Sequence, residues 1–192
     1  MPYTRYAALV LIALLMLQAP FWSDDGVTHD LFEDLGGALL VACVLGRTWC
    51  SAYIGGRKKR VLVGAGPYSV VRNPLYLFSF IGVLGIGLAS ATVTLPLILA
   101  AFFVIYYAIV VRYEEAMLRE RFGGAYSRYL ARVPRWRPDL RLWQEFGKPR
   151  IEWRYVLITL RDSAWFFSAL PAFELLERLH EQSILPVLIL LP

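Results

Sequence analysis

Two short stretches of the chain carry the residues equipped for chemistry. The first reads Arg60-Val61-Leu62-Val63-Gly64-Ala65-Gly66-Pro67-Tyr68-Ser69-Val70-Val71-Arg72-Asn73-Pro74-Leu75-Tyr76. Gly66-Pro67 fixes a turn, and Pro74 suits the first position of a helix. Free N–H groups at that helix start, with Arg72 beside them, favour a carboxylate or phosphate. The plain alternative is a turn with a boundary tyrosine and a charge that sets topology. The second stretch reads Arg112-Tyr113-Glu114-Glu115, then Phe122-Gly123, Tyr126, Tyr129, Arg132 and Val133-Pro134. Glu114 and Glu115 follow a long apolar run. A carboxylate so close to hydrocarbon is expensive unless solvated, paired or used. Neighbours on a helix point about 100° apart, so one of the two is expected to face any given pocket. The plain alternative pairs both with Arg112 or Arg119 at helical spacing.

The elements that must hold these residues are apolar helices. The chain has 192 residues, 58% hydrophobic, and a formal net charge of +5; its mean hydropathy is +0.51. Soluble domains run at roughly half apolar residues, and here the excess comes in blocks. Basic residues beside such blocks read as topology signals and contacts to anionic headgroups rather than as a nucleic-acid surface. Four spans are predicted: Tyr6 to Phe21, Leu35 to Tyr53, Leu75 to Ala89 and Val93 to Val111. Crossing a bilayer takes about 20 helical residues, so the first and third need flanking residues. Ser90-Ala91-Thr92 allows only a tight hairpin between the third and fourth. Tyr155 to Leu179 is apolar but interrupted by Arg161, Asp162, Pro171, Glu174 and Glu177; it is expected to be one further embedded helix. Ile184 to Leu191 is too short to cross. The expectation is all-α: a polytopic membrane bundle of about five helices in a single membrane domain, 1–192. Residues 1–53 give two spans, 54–138 the core and 139–192 the C-terminal interfacial and membrane helices.

Orientation follows from the connections. Ser23–Asp34 has no Lys or Arg, and neither has the hairpin tip, whereas Arg57, Lys58, Lys59, Arg60 and Arg72 share one connection. Arg112, Arg119, Arg121, Arg128, Arg132, Arg135 and Arg137 follow the fourth span. The N-terminus and both basic connections are thus expected on the cytoplasmic side, as in a bacterial inner-membrane protein. Pro20-Phe21-Trp22 offers no cleavage pattern, so the first span reads as retained. Cys43 and Cys50 lie on one helix face and read as packing residues. No metal-ligand spacing is present.

Taken in order, Gly-Pro-Tyr, Arg-x-Pro-x-Tyr, an apolar hairpin, Glu-Glu, Phe-Gly-x-x-Tyr-x-x-Tyr and Val-Pro resemble the isoprenylcysteine carboxyl methyltransferases. The related membrane phospholipid methyltransferases share this core. The resemblance covers about Tyr53 to Pro138. It implies S-adenosylmethionine in a cytoplasm-facing pocket among the helices, and no Gly-x-Gly-x-x-Gly turn of a dinucleotide-binding domain appears. It further implies cofactor contacts from Arg60, Val61, Leu62, Val63, Tyr68, Asn73, Pro74, Leu75, Tyr76 and Glu114, with Arg72, Asn73, Tyr76 and Glu114 as the catalytic set. In that picture Arg72 holds the cofactor's carboxylate and Glu114 its ribose or amino end. Asn73 stands where such enzymes commonly carry histidine. Val110 stands where they carry a substrate-binding arginine. A carboxylate acceptor needs no base, whereas an amine must lose a proton, and His29 and His180 fall outside this set. The resemblance therefore points to carboxyl O-methylation of a lipophilic substrate entering from the bilayer, with membrane lipids as surroundings and no nucleic acid. Phospholipid amine methylation, a nicotinamide-dependent membrane reductase and a non-catalytic scaffold remain alternatives.

Overall fold

The computed structural model describes residues 18–20, 26–57, 60–145, 151–182, 184 and 189–191. Most of the first expected span, Tyr6 to Phe21, lies outside them, as do Lys58 and Lys59. Helices α1 (Val27–Ile54), α2 (Pro67–Val70), α3 (Pro74–Leu88), α4 (Thr94–Arg132), α5 (Trp153–Ala164) and α6 (Ala169–Glu181) follow in order. Two of them, α1 and α4, are long and apolar enough to cross a membrane, and α3 is a shorter apolar helix. The all-α expectation needs one amendment. Strand β1 (Gln18–Pro20) pairs in parallel with β2 (Ile189–Leu191). Pro20 has no N–H to extend a helix from the preceding residues.

Helix α3 packs between α1 and α4. Against α1 the backbones nearly touch. A Cβ added at Gly36 would lie 2.8 Å from the Ala89 nitrogen and 2.9 Å from the Gly85 carbonyl oxygen. Small residues permit this approach, which is how helices pack where apolar side chains gain nothing from avoiding lipid. Against α4 the contact is aromatic. Phe80 meets Phe103 at 5.4 Å between ring centroids, and Tyr76 meets Tyr107 at 4.5 Å. The hairpin turn is closed by Ser90, whose hydroxyl donates to the Gly87 carbonyl at 2.7 Å and lies 2.9 Å from the Thr92 hydroxyl.

The segment expected to form one helix from Tyr155 to Leu179 forms two, α5 and α6, joined by a 3-10 turn at Trp165–Ser168. Pro171 explains the break, because its ring excludes an uninterrupted helix through the preceding turn. The pair still runs antiparallel along α1. Tyr155 lies against Gly55 at one end. Midway, Ser163 accepts from Arg47 Nε at 2.8 Å. At the far end Glu177 lies 2.8 Å from His29 Nε2. The two cysteines are free and buried in α1, with Cys43 against Gly82 of α3.

Helix α4 is not continuous. At Gly123 the backbone turns to φ 52°, ψ −127°, a conformation that a side chain strongly disfavours. The turns beyond it swing Tyr126, Tyr129 and Val133 into a buried cluster backed by Leu62, Leu118, Phe122 and Leu130.

Candidate active site

The connection between α1 and α3 is fixed from outside by residues 134–145. Gly66 N–H donates to the Gln144 carbonyl at 2.8 Å, Asp139 N–H to the Val70 carbonyl at 3.1 Å, and Gln144 N–H to Ser69 Oγ at 3.0 Å. Trp143 stacks on Trp49 with centroids 5.7 Å apart. Held this way, Pro67–Val70 makes one buried helical turn, Val71 is extended, and Asn73 opens α3. Pro74 at the first helical position forces that start.

Between this entrance and the far end of α4 lies a cavity with about 740 Å³ of unfilled space, its mouth included. Of the residues singled out from sequence, Val61, Leu62, Val63, Tyr68 and Arg72 line it. So do Asn73, Leu75, Tyr76 and Glu114. Arg60 and Pro74 do not. Arg60 is exposed and closes a turn on the Arg57 carbonyl at 2.9 Å, while Pro74 is buried in the helix start. Tyr76 and Glu114, 38 positions apart, meet directly: the phenol donates to Glu114 Oε2 at 2.8 Å.

Arg72 and Glu115 form the back wall. Arg72 Nε donates to the Val133 carbonyl at 2.7 Å, one terminal nitrogen to the Leu130 carbonyl at 2.6 Å, and the other to Glu115 Oε1 at 3.1 Å. All three nitrogens of Arg72 are therefore engaged, which leaves at most two N–H for a ligand. Glu115 is 2% exposed. It accepts from Arg72 and also from Arg135, at 3.0 Å and 2.6 Å in a forked pair. The Glu115 carboxylate holds the Arg135 guanidinium above the ordinary arginine range. Glu115 pairs across the fold rather than with Arg112 or Arg119. Both glutamates border the cavity, because Glu115 reaches its rear while Glu114 faces its front.

Two polar atoms in this wall are buried without a partner among the described residues: the Tyr68 hydroxyl and Asn73 Nδ2. Buried polar groups are almost always paired, so an orphan needs an explanation. Asn73 sits at a helix N-cap yet makes no side-chain capping bond, although asparagine is among the best residues for that task. The residue is one of those lining the cavity. Burial pushes the Tyr68 phenol well above its ordinary range, so it remains a donor at any working pH. Both residues line the cavity. Tyr68, Tyr76, Phe122, Tyr126 and Tyr129 also line it, and aromatic rings are the side chains whose faces attract a cation.

Sequence reasoning overlooked Ile54 and Leu118 in the wall, Arg135 behind it, and Arg47 within α1. Ile54 and Leu118 give no chemical signal. Arg47, an arginine inside an apolar run, was a legible signal. Val110 is half-buried on α4, outside the wall.

Residues 40–125 match the family model described as phospholipid methyltransferase. The nickel-cobalt-cadmium resistance protein NccN of Alcaligenes xylosoxydans xylosoxydans is 33% identical over 96% of this chain and 85% of its own length. The cobalt-zinc-cadmium resistance protein CzcN of Cupriavidus metallidurans is 29% identical over 97% of this chain and 86% of its own. No solved structure matches. With a shared core region and near end-to-end likeness to these relatives, the chain is a membrane protein that belongs to the phospholipid methyltransferase family.

Proposed function

We propose that this protein is an S-adenosylmethionine-dependent methyltransferase acting on a carboxylate of a lipophilic molecule that reaches the cavity from the bilayer. The observation that carries the reading is a pair of orphaned donors, the Tyr68 hydroxyl and Asn73 Nδ2, on two residues that line an aromatic cavity also lined by the hydrogen-bonded Tyr76 and Glu114. This set fits a ligand that is both zwitterionic and cationic. Tyr68 and Asn73 are donors for its oxygen or nitrogen acceptors, Glu114 attracts its positive end, and the tyrosine faces accept a sulfonium. When bound, that group supplies a methyl already activated for in-line displacement.

The protein's own part is alignment and exclusion of water. Tyr76 holds the Glu114 carboxylate in one orientation. Arg72, engaged with two carbonyls and Glu115, is a positioning residue that ties α3 to the end of α4. This revises the role that sequence reasoning gave it as the direct clamp on the cofactor carboxylate. A carboxylate acceptor needs no deprotonation. With no histidine in the wall, Glu114 is the carboxylate placed to take a proton from an amine, and the description of the matching family favours that second reading, phospholipid amine methylation. In the same proposal the chain is multi-pass and the cavity opens to the cytoplasm, in line with the clustering of basic residues. The relatives' names add a setting, resistance to nickel, cobalt, zinc and cadmium.

Calorimetric titration of the purified protein with S-adenosylmethionine and its demethylated product tests the reading; absence of binding by either overturns it. Labelled methyl recovered from membranes as base-released methanol marks carboxyl esters. Base-stable label in a lipid headgroup marks amine transfer.

A further inference from the structure

On the outer side of Arg72, between the last turn of α4 and residues 134–142, lies a second concavity. It has about 1170 Å³ of unfilled space, its wide mouth included. Arg132, Arg137 and Arg141 line it. Among the described residues none of these three side chains has a carboxylate partner in a salt bridge or hydrogen bond. Asp139 is the one carboxylate in the lining, and one of its oxygens is occupied by the Arg141 backbone N–H at 3.0 Å. Arg72, at the floor, is already balanced by Glu115. The lining therefore carries a surplus of positive charge. The segment is held in place by its bond to Val70 and by Pro134 and Pro138. Beside the arginines it exposes Trp136 and Leu140, which are 45% and 78% accessible.

We propose that this groove binds the phosphate-bearing headgroup of an anionic phospholipid in the adjoining leaflet. Planar guanidinium forks match phosphate oxygens in pairs, which a set of ammonium groups would not. The exposed Trp136 favours a lipid over a free anion, because an indole settles at headgroup depth, and Leu140 adds exposed apolar surface on the same segment. The groove and the methyl-transfer cavity share only Arg72, so the inference stands whether or not the catalytic reading does.

The test uses the full chain purified in neutral detergent, titrated with short-chain phosphatidylglycerol, short-chain phosphatidylcholine and inorganic phosphate, with native mass spectrometry as readout. Phosphatidylglycerol is expected to bind and the other two to bind at least about fivefold more weakly, the scale of one basic contact at a membrane surface. The triple variant Arg132→Gln/Arg137→Gln/Arg141→Gln is expected to lose at least about fivefold in affinity. The control Arg112→Gln/Arg119→Gln/Arg121→Gln removes equal charge from α4 and is expected to bind as the parent does. Should the triple groove variant lose its helical signal, the single reversal Arg137→Glu serves in its place. Equal losses in groove and control variants, inorganic phosphate matching the lipid, or undiminished binding by the groove variant would each overturn the proposal.

Discussion

The junction of α1, α3 and α5 and the cavity beside α4 both place polar side chains among apolar helices, yet they treat them in opposite ways. At the junction Arg47 donates to Ser163 and to Ser79, Ser79 in turn donates to the Leu75 carbonyl at 2.8 Å, and the guanidinium rides over Phe166 at 5.8 Å. In the cavity two donors, on Tyr68 and Asn73, are left without partners although they are equally screened from water. A buried polar group that is satisfied by the fold contributes to holding it. One that is not satisfied costs stability and persists where a ligand repays the loss. The contrast separates scaffold from site without reference to any relative.

Four substitutions probe that separation, in descending order of effect. Glu115→Ala strips the carboxylate from between Arg72 and Arg135 and is expected to cost about 3 kcal/mol or more, the scale for breaking a buried pair. Thermal unfolding in detergent measures it, and an unchanged transition would show the back wall to be dispensable. Arg47→Leu removes two hydrogen bonds at the junction and should cost about 1–3 kcal/mol while leaving donor binding as it was. Weakened binding at unchanged stability would move Arg47 from scaffold to site. Tyr68→Phe and Asn73→Ala should do the reverse. Removing an orphan is expected to leave stability unchanged or raise it by up to about 1–3 kcal/mol, the cost of a buried unpaired group, whereas affinity for the methyl donor falls about tenfold for one lost hydrogen bond. If affinity is untouched in both variants, the orphans have another explanation.

Much of the cavity's front was legible in the sequence, because it rests on local rules. Proline fixes the start of α3, Gly66-Pro67 fixes the turn before it, and a three-residue tip forces α3 and α4 together, which brings Tyr76 to Glu114. The back wall was not legible, since it depends on the reversal at Gly123. Without that kink nothing in a helical repeat brings Arg135 to Glu115, twenty positions away. The adjacent glutamates also concealed their division of labour, because a helical wheel gives their directions but not what waits in each. The long antiparallel return past α1 was expected as one helix, and its break before Pro171 was readable. Its register was not, because Ser163 and Arg47 are 116 positions apart and follow no periodicity.

Arg72 carries one more consequence. Carbonyls at the end of a helix have no partner within it, and here two of them, on Leu130 and Val133, are terminated by a side chain from the threshold of another helix. The cap is shared property: a shift of either helix end would part the α4 carbonyls from the arginine that caps them. The separation of the chamber's two walls is therefore tied to a single guanidinium.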